Sequence, residues 1–250
     1  MSPILSILKR SLHILKKTWL VQFLMNCSQP LLYMTAMGIG VGAYISDMNG
    51  LSYFKFVSAG IVASAALWEA AFSCTYDVFT RIHYRKVYQA ILTTPATISD
   101  LVWGEILTAV VKSTLYSFAV FGVIYCMGVV DSWLAILFPI PVILLALVIA
   151  LISMIVTSLT PTIFLFNYYN NLFIAPAYAF SGVFFPMDTL PNWAQILVWL
   201  NPVYHGVTLC RGLLIGQIPP LWWAHLAVLI GLALCLAYWP TRLFYRRLIQ

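Results

Sequence analysis

Charge is what this sequence has least of. Asp, Glu, Lys and Arg make up 8% of its 250 residues against 62% hydrophobic, and the mean hydropathy is +0.94. No water-soluble core of this length needs so much apolar surface. Gly is nowhere followed by Lys, so a GxxxxGK[ST] phosphate-binding loop is absent, and there is no polar domain to hold one. The five cysteines (Cys27, Cys74, Cys126, Cys210, Cys235) have no paired spacing, and His13, His83, His205 and His225 are equally scattered. That pattern excludes a disulfide framework and a zinc site. No cluster of nucleophile, base or metal ligand stands out, so the chain reads as no enzyme, with no catalytic residue, no metal and no cofactor of its own. The net charge of +6 is a topology signal rather than a nucleic-acid one.

What is present is a set of apolar runs. About twenty apolar residues cross a hydrocarbon layer of about 30 Å as a helix. Six such runs are predicted, over about Trp19–Ile45, Phe56–Tyr76, Val102–Met127, Leu134–Thr157, Asn171–Phe185 and Leu221–Trp239. Lys9, Arg10, Lys16 and Lys17 precede the first, Arg81, Arg85 and Lys86 separate the second from the third, and Arg242, Arg246 and Arg247 follow the last. Cytoplasmic loops retain Lys and Arg, so both termini are expected inside a bacterial inner membrane. The amino terminus does not read as a removable signal. Ile4, Leu5, Leu8, Leu12 and Leu15 recur at helical spacing beside cations, which predicts an interfacial helix over 1–18. The expected fold is thus all-α and integral to the membrane, a single permease domain over 1–250.

Between the fifth and sixth runs lies Ser181-Gly182-Val183-Phe184-Phe185-Pro186-Met187-Asp188-Thr189-Leu190-Pro191, followed by Asn201-Pro202-Val203-Tyr204-His205 and Arg211. The segment is too apolar for a watery loop and too broken by proline for one helix. Broken backbone at membrane depth is tolerated only under a cover of protein or water, so an external re-entrant hairpin is predicted over 183–216. Its markers are Pro186, Asp188, Pro191, Pro202, His205 and Arg211, and the two charges should seek each other or the water at its edge. Over 77–100, a short helix puts Ile82, Val87, Tyr88, Ile91 and Leu92 on one face and cations on the other, stopped by Pro95. An apolar face of that kind wants a partner surface.

This order of parts, and above all the Ser181–Pro186, Leu190-Pro191 and Asn201–His205 segments with Arg211, resembles the type-2 ABC exporter permease family, in particular its nodulation protein J and drug-resistance permease branch. The resemblance implies the transmembrane half of an exporter. Two permease chains, as a homodimer, would bind two copies of a separate cytoplasmic ATPase, which alone would hold ATP and Mg²⁺. Arg81, Arg85, Val87, Tyr88, Ile91 and Leu92 would form the coupling helix against that ATPase. The family often carries an acidic residue ahead of this helix's apolar part, where this chain has Gln89 and cations. The resemblance also implies that the first and fifth spans meet their counterparts across the dimer axis and line the path. The aromatic character of Tyr168, Phe173, Tyr178 and Phe180, in and before the fifth run, suits an amphipathic or lipid-linked cargo, such as a lipo-oligosaccharide, a glycan or a hydrophobic drug, and equally suits packing against membrane lipids.

Ionisable groups inside a membrane are costly and face protein or water. Glu69 and Lys112 fall roughly 10 and 15 Å from the inner ends of their spans at about 1.5 Å per residue, and a helical side chain leans toward its helix amino terminus, which carries Lys112 toward Glu69. Glu105, seven residues before Lys112, shares nearly the same face. A buried charge pair is expected, with a place in the path as the alternative. Used as a proton relay, the same three residues would support an ion-coupled transporter instead, and an intramembrane enzyme is the remaining class. Gly38 with Gly42, Ala59 with Ala63 and Ala66 with Ala70 supply the small-residue spacing that lets helices pack closely.

Overall fold

The computed structural model describes residues 3–45, 48 and 50–249, apart from the side chains of residues 25–27, 29 and 249. The first helix, α1 (Pro3–Thr35), continues through a π turn at Ala36–Gly40 and a 3-10 turn at Val41–Ala43. The interfacial helix and first span expected as separate pieces are therefore one unbroken helix, since neither Gly nor Pro interrupts it between Pro3 and Pro30.

Ser52 starts α2 (Tyr53–Phe72) by accepting from the Lys55 N–H. A π turn at Ser73–Asp77 leads into α3 (Val78–His83), and α4 (Val87–Leu92) follows a single corner at Lys86. Thr97 and Asp100 form a reciprocal capping box that opens α5 (Ile98–Cys126). In α6 (Pro139–Leu159), Pro139 and Pro141 sit in the first turn, where their missing N–H groups cost nothing, so they start the helix and do not kink it. The region expected as a fifth span is a shorter helix over 165–179, in which α7 (Leu165–Tyr169) continues through a π turn at Asn170–Ile174 into α8 (Ala175–Ala179). The hairpin comprises α9 (Asn192–Trp199) and α10 (Pro202–Ile215). The last spanning segment is α11 (Trp222–Leu236) with α12 (Tyr238–Ile249).

Among the described residues, four helical segments are long and apolar enough to cross a membrane: Tyr53–His83, Ile98–Cys126, Trp133–Leu159 and Trp222–Leu248. Residues 30–43 form a shorter apolar helix.

At the centre stands α2, packed by α1, α5, α6 and α10. Ala59, Ala63, Ala66 and Ala70 on it are fully buried, and short side chains bring neighbouring axes close enough for side chains to bond backbone across helices. Ser117 Oγ donates to the Val62 carbonyl at 3.0 Å and Thr157 Oγ1 to the Cys74 carbonyl at 2.7 Å. One end of the bundle gathers Arg10, Arg81, Arg85, Lys86 and Arg247, and is called the basic end here. At the far end, Lys55 from α2 meets Asp131 at 2.9 Å.

Candidate functional site

Toward the basic end, six ionisable side chains from four helices and the π turn between α2 and α3 form one network. Lys112 on α5 places its Nζ 3.5 Å from Glu69 Oε1 on α2 and 3.2 Å from Asp77 Oδ2 in the π turn. Arg81 on α3 bonds Glu105 on α5 and lies 3.6 Å from Asp77, and Arg10 on α1 approaches Glu105 at 3.5 Å. Glu69, Glu105 and Lys112 are almost wholly buried. Three carboxylates face three cations, so the cluster is neutral and each buried charge has a partner of opposite sign. The π turn has a part in this, since one extra residue in the helical turn re-aims Asp77. Spacing pointed to Glu69, Glu105 and Lys112; it missed Arg10 and Asp77, which enter by tertiary packing. Asp77 four residues before Arg81 was the available signal.

Over this network sits Tyr88, 1% exposed. Its hydroxyl has no hydrogen-bond partner among the described residues. Burial, reinforced by the negative charge of Glu105, pushes its phenol well above the usual range, so the group stays protonated. A buried hydroxyl without a partner is a cost, so Tyr88→Phe should be neutral or stabilising by about 1 kcal/mol. A lowered thermal midpoint for this variant would refute that expectation.

In the expected coupling helix Tyr88 is buried, while Ile82, Ile91 and Leu92 are half-buried against the chain's own core and Val87 is half-buried as well. Arg81 likewise points into the ion network. The outward face carries Tyr84, Arg85, Lys86, Gln89 and Ala90.

A stripe of aromatic rings runs along α2. Trp68 stacks on Phe72 at 6.0 Å and Phe72 on Tyr76 at 5.4 Å, the rings following one another at four-residue spacing. At the basic end Phe166 meets Tyr76 and Phe79 edge-on at 5.3 and 5.5 Å. At the other end Trp68 meets Tyr178, which touches Phe184 and Tyr33. From Trp68 to Phe79 the stripe covers roughly 16 Å at about 1.5 Å per residue. Phe72 and Tyr33 are partly exposed along it. Of the four residues expected in the path, Tyr178 is a buried member of this stripe, whereas Tyr168, Phe173 and Phe180 lie outside it and are exposed on the bundle surface. Trp68, Phe72 and Tyr76 escaped the sequence reading, though their helical spacing was visible.

In the hairpin, Pro186 precedes a 3-10 turn (Met187–Thr189) that contains Asp188, Pro191 precedes α9, and Pro202 opens α10 behind the Asn201 cap. Most of α10 is buried against α2, α6 and α11. Arg211 does not pair with Asp188. Its Nε donates to the Phe56 carbonyl at 3.2 Å, its Nη2 to the Gly182 carbonyl at 2.6 Å, and its guanidinium lies 3.7 Å over the Phe56 ring. Backbone carbonyls of the broken segment are nearer than any carboxylate, and a planar fork of donors suits them. His205 Nε2 lies 2.9 Å from the Trp199 carbonyl, which can only accept, so that nitrogen carries the proton. Its Nδ1 then accepts from His225 Nδ1–H at 2.7 Å, tying the hairpin to α11. Among the described residues no group of three or more metal-ligating side chains occurs.

Among the described residues the bundle thus combines four helical segments long and apolar enough to cross a membrane with a buried charge network and a broken apolar hairpin. The sequence profile of the ABC-2 type transporter family matches residues 3–215, and the chain belongs to that family. It is 35% identical over 239 residues to nodulation protein J of Rhizobium meliloti, covering 94% of this chain and 89% of that protein. Nodulation protein J of Sinorhizobium fredii is 31% identical over 98% of this chain and 94% of its own length. The inner membrane transport permease YadH of Escherichia coli is 21% identical over 81% and 79%.

Proposed function

We propose that this permease is the transmembrane subunit of an ATP-driven exporter, moving an amphipathic or lipid-linked compound out of the cytoplasm or inner leaflet. Two copies of the chain would work with two copies of a cytoplasmic ATPase, which supplies the ATP and Mg²⁺ sites this chain lacks. Six crossings, with α1 and the α7–α8 segment added to the four long spans, would place both termini in the cytoplasm of a bacterial cell.

The aromatic stripe on α2 carries this reading. Successive ring faces give an apolar molecule, or the apolar face of a sugar, a series of equivalent contacts along the helix axis.

Purified gently from its native membrane, the permease should retain an ATP-hydrolysing subunit in equal amount. With that complex in proteoliposomes, Phe72→Ala should cut transport about tenfold or more while leaving basal ATP hydrolysis intact, since a lost ring contact is worth about 0.5–1.5 kcal/mol beyond its buried area. Recovery of the permease without any ATPase would reject the exporter reading. Full transport by Phe72→Ala would reject the stripe as its path.

A further inference from the structure

A cavity of about 360 Å³ lies at the basic end, between α1 and the junction of α2 with α3. Ser11 and Gln22 of α1 wall one side, Tyr76, Asp77 and Arg85 the other, and Lys112 of α5 also lines it. Most of its polar groups are already engaged. Asp77 holds Lys112 at 3.2 Å and Arg81 at 3.6 Å. Gln22 Oε1 accepts from the Tyr116 hydroxyl at 3.1 Å, and Gln22 Nε2 donates to Thr18 Oγ1 at 2.7 Å.

What remains over is a set of donors. The Gln22 amide has a second N–H beyond the one given to Thr18. The Ser11 hydroxyl has no hydrogen-bond partner among the described residues, although Ser11 is only 4% exposed. Arg85 is exposed and has no ion-pair partner among the described residues.

Charge points the same way. The six-membered ion network beside the cavity is neutral, so Arg85 leaves the site with one unbalanced positive charge. A fitting ligand accepts hydrogen bonds, needs to donate none and carries one negative charge. A phosphodiester meets all three conditions, and a guanidinium suits it in shape.

The surroundings supply the apolar part. Just beyond the cavity α1 exposes Trp19, Leu20, Val21 and Leu24, and the Tyr76 ring stacks at 5.4 Å on Phe72, which is itself partly exposed. The cavity therefore sits where cations give way to apolar surface, which is the level of lipid phosphates.

We propose that this cavity binds the head of one anionic phospholipid, its phosphodiester held by Arg85, the Ser11 hydroxyl and the remaining Gln22 N–H, with its acyl chains on the apolar face of α1 and on Phe72. The inference goes beyond the exporter reading and needs neither ATPase nor cargo. A general attraction of cations to an anionic membrane would treat Arg85 and the exposed Arg246 alike, whereas a built site distinguishes them.

The full permease, purified in mild detergent, stripped of lipid and titrated with phosphatidylglycerol under native mass spectrometry, provides the test. One phosphatidylglycerol should bind in preference to phosphatidylcholine. Arg85→Gln should weaken that binding about tenfold, the loss of one charge-assisted contact, and Arg246→Gln should leave it unchanged. Ser11→Ala removes an unpartnered buried hydroxyl, so the fold should not suffer, yet lipid binding should weaken about threefold or more. Equal weakening by Arg85→Gln and Arg246→Gln reduces the effect to surface charge and overturns the site. Unchanged binding in both Arg85→Gln and Ser11→Ala overturns it as well. Displacement of the lipid by inorganic phosphate at matched concentration makes the cavity a free-anion site and overturns the lipid assignment.

Discussion

Glu105→Leu is expected to cost about 3–5 kcal/mol and to leave little folded permease, because removing one partner strands the others as uncompensated buried charge. Glu105 is the shared acceptor for Arg81 and Arg10, so its loss leaves Arg81 with Asp77 alone and Arg10 with no carboxylate among the described residues. Glu105→Leu combined with Arg81→Leu should recover part of the loss, the remainder being Arg10. The other half of the network has its own cycle. Glu69→Gln together with Lys112→Met should deviate from the sum of the single changes by about 0.5–3 kcal/mol in a thermal assay. Additive behaviour in that pair would mean that the 3.5 Å contact contributes nothing, and a near-normal thermal midpoint for Glu105→Leu alone would dissolve the network argument.

Much of this was legible before any coordinates, and the parts that were not share a physical cause. Span positions follow from local composition, so the runs at 56–76, 102–127, 134–157 and 221–239 fall within the four long apolar segments. The run at 171–185 has the same composition, yet its helix covers 165–179, widens into a π turn at Asn170–Ile174 and ends before Phe180, with neighbours holding the turn: Asn170 and Tyr169 bond Tyr76 and Ser153 on other helices. The helix over 77–100 was visible from its periodicity, but which molecule its apolar face would meet was not. Periodicity shows that a face is buried and says nothing of what buries it. Tyr88 found its cover within the same chain, and Ile91 and Leu92 found part of theirs there. Arg211 shows the converse. Sequence suggested a carboxylate partner because Asp188 is near in the chain, whereas a proline-broken segment supplies free carbonyls that no composition count reveals.

Those carbonyls make Arg211 the pin of the hairpin, and its removal should have the second large effect. In Arg211→Met the carbonyls of Gly182 and Val183 lose the guanidinium donor, and each buried unsatisfied group costs about 1–3 kcal/mol, while that of Phe56 keeps its helical N–H partner within α2. Return of the charge to water in the wild-type comparison offsets part of this, so a net loss of about 2 kcal/mol is expected. Arg211→Lys should rescue little, because one ammonium cannot reach both the α2 carbonyl and the turn carbonyls at once. Gly60 gives an independent test without touching the charge. A Cβ there would lie 2.9 Å from Arg211 Nη2 and 3.3 Å from Val183 Cα, the second of these being backbone that cannot swing aside. Gly60→Ala should therefore loosen the same junction by about 1–3 kcal/mol. Single cysteines along α9, in a background lacking the five native ones, report the consequence through a water-soluble thiol reagent. Val198 is buried and should label slowly in the parent, then faster in Arg211→Met and Gly60→Ala as the hairpin lifts. Uniformly rapid labelling from Asn192 to Trp199 in the parent would make α9 a helix lying on the surface and would end the re-entrant proposal. Unchanged protection of Val198 in both variants would show that the hairpin is held by the packing of α10 and not by its buried guanidinium.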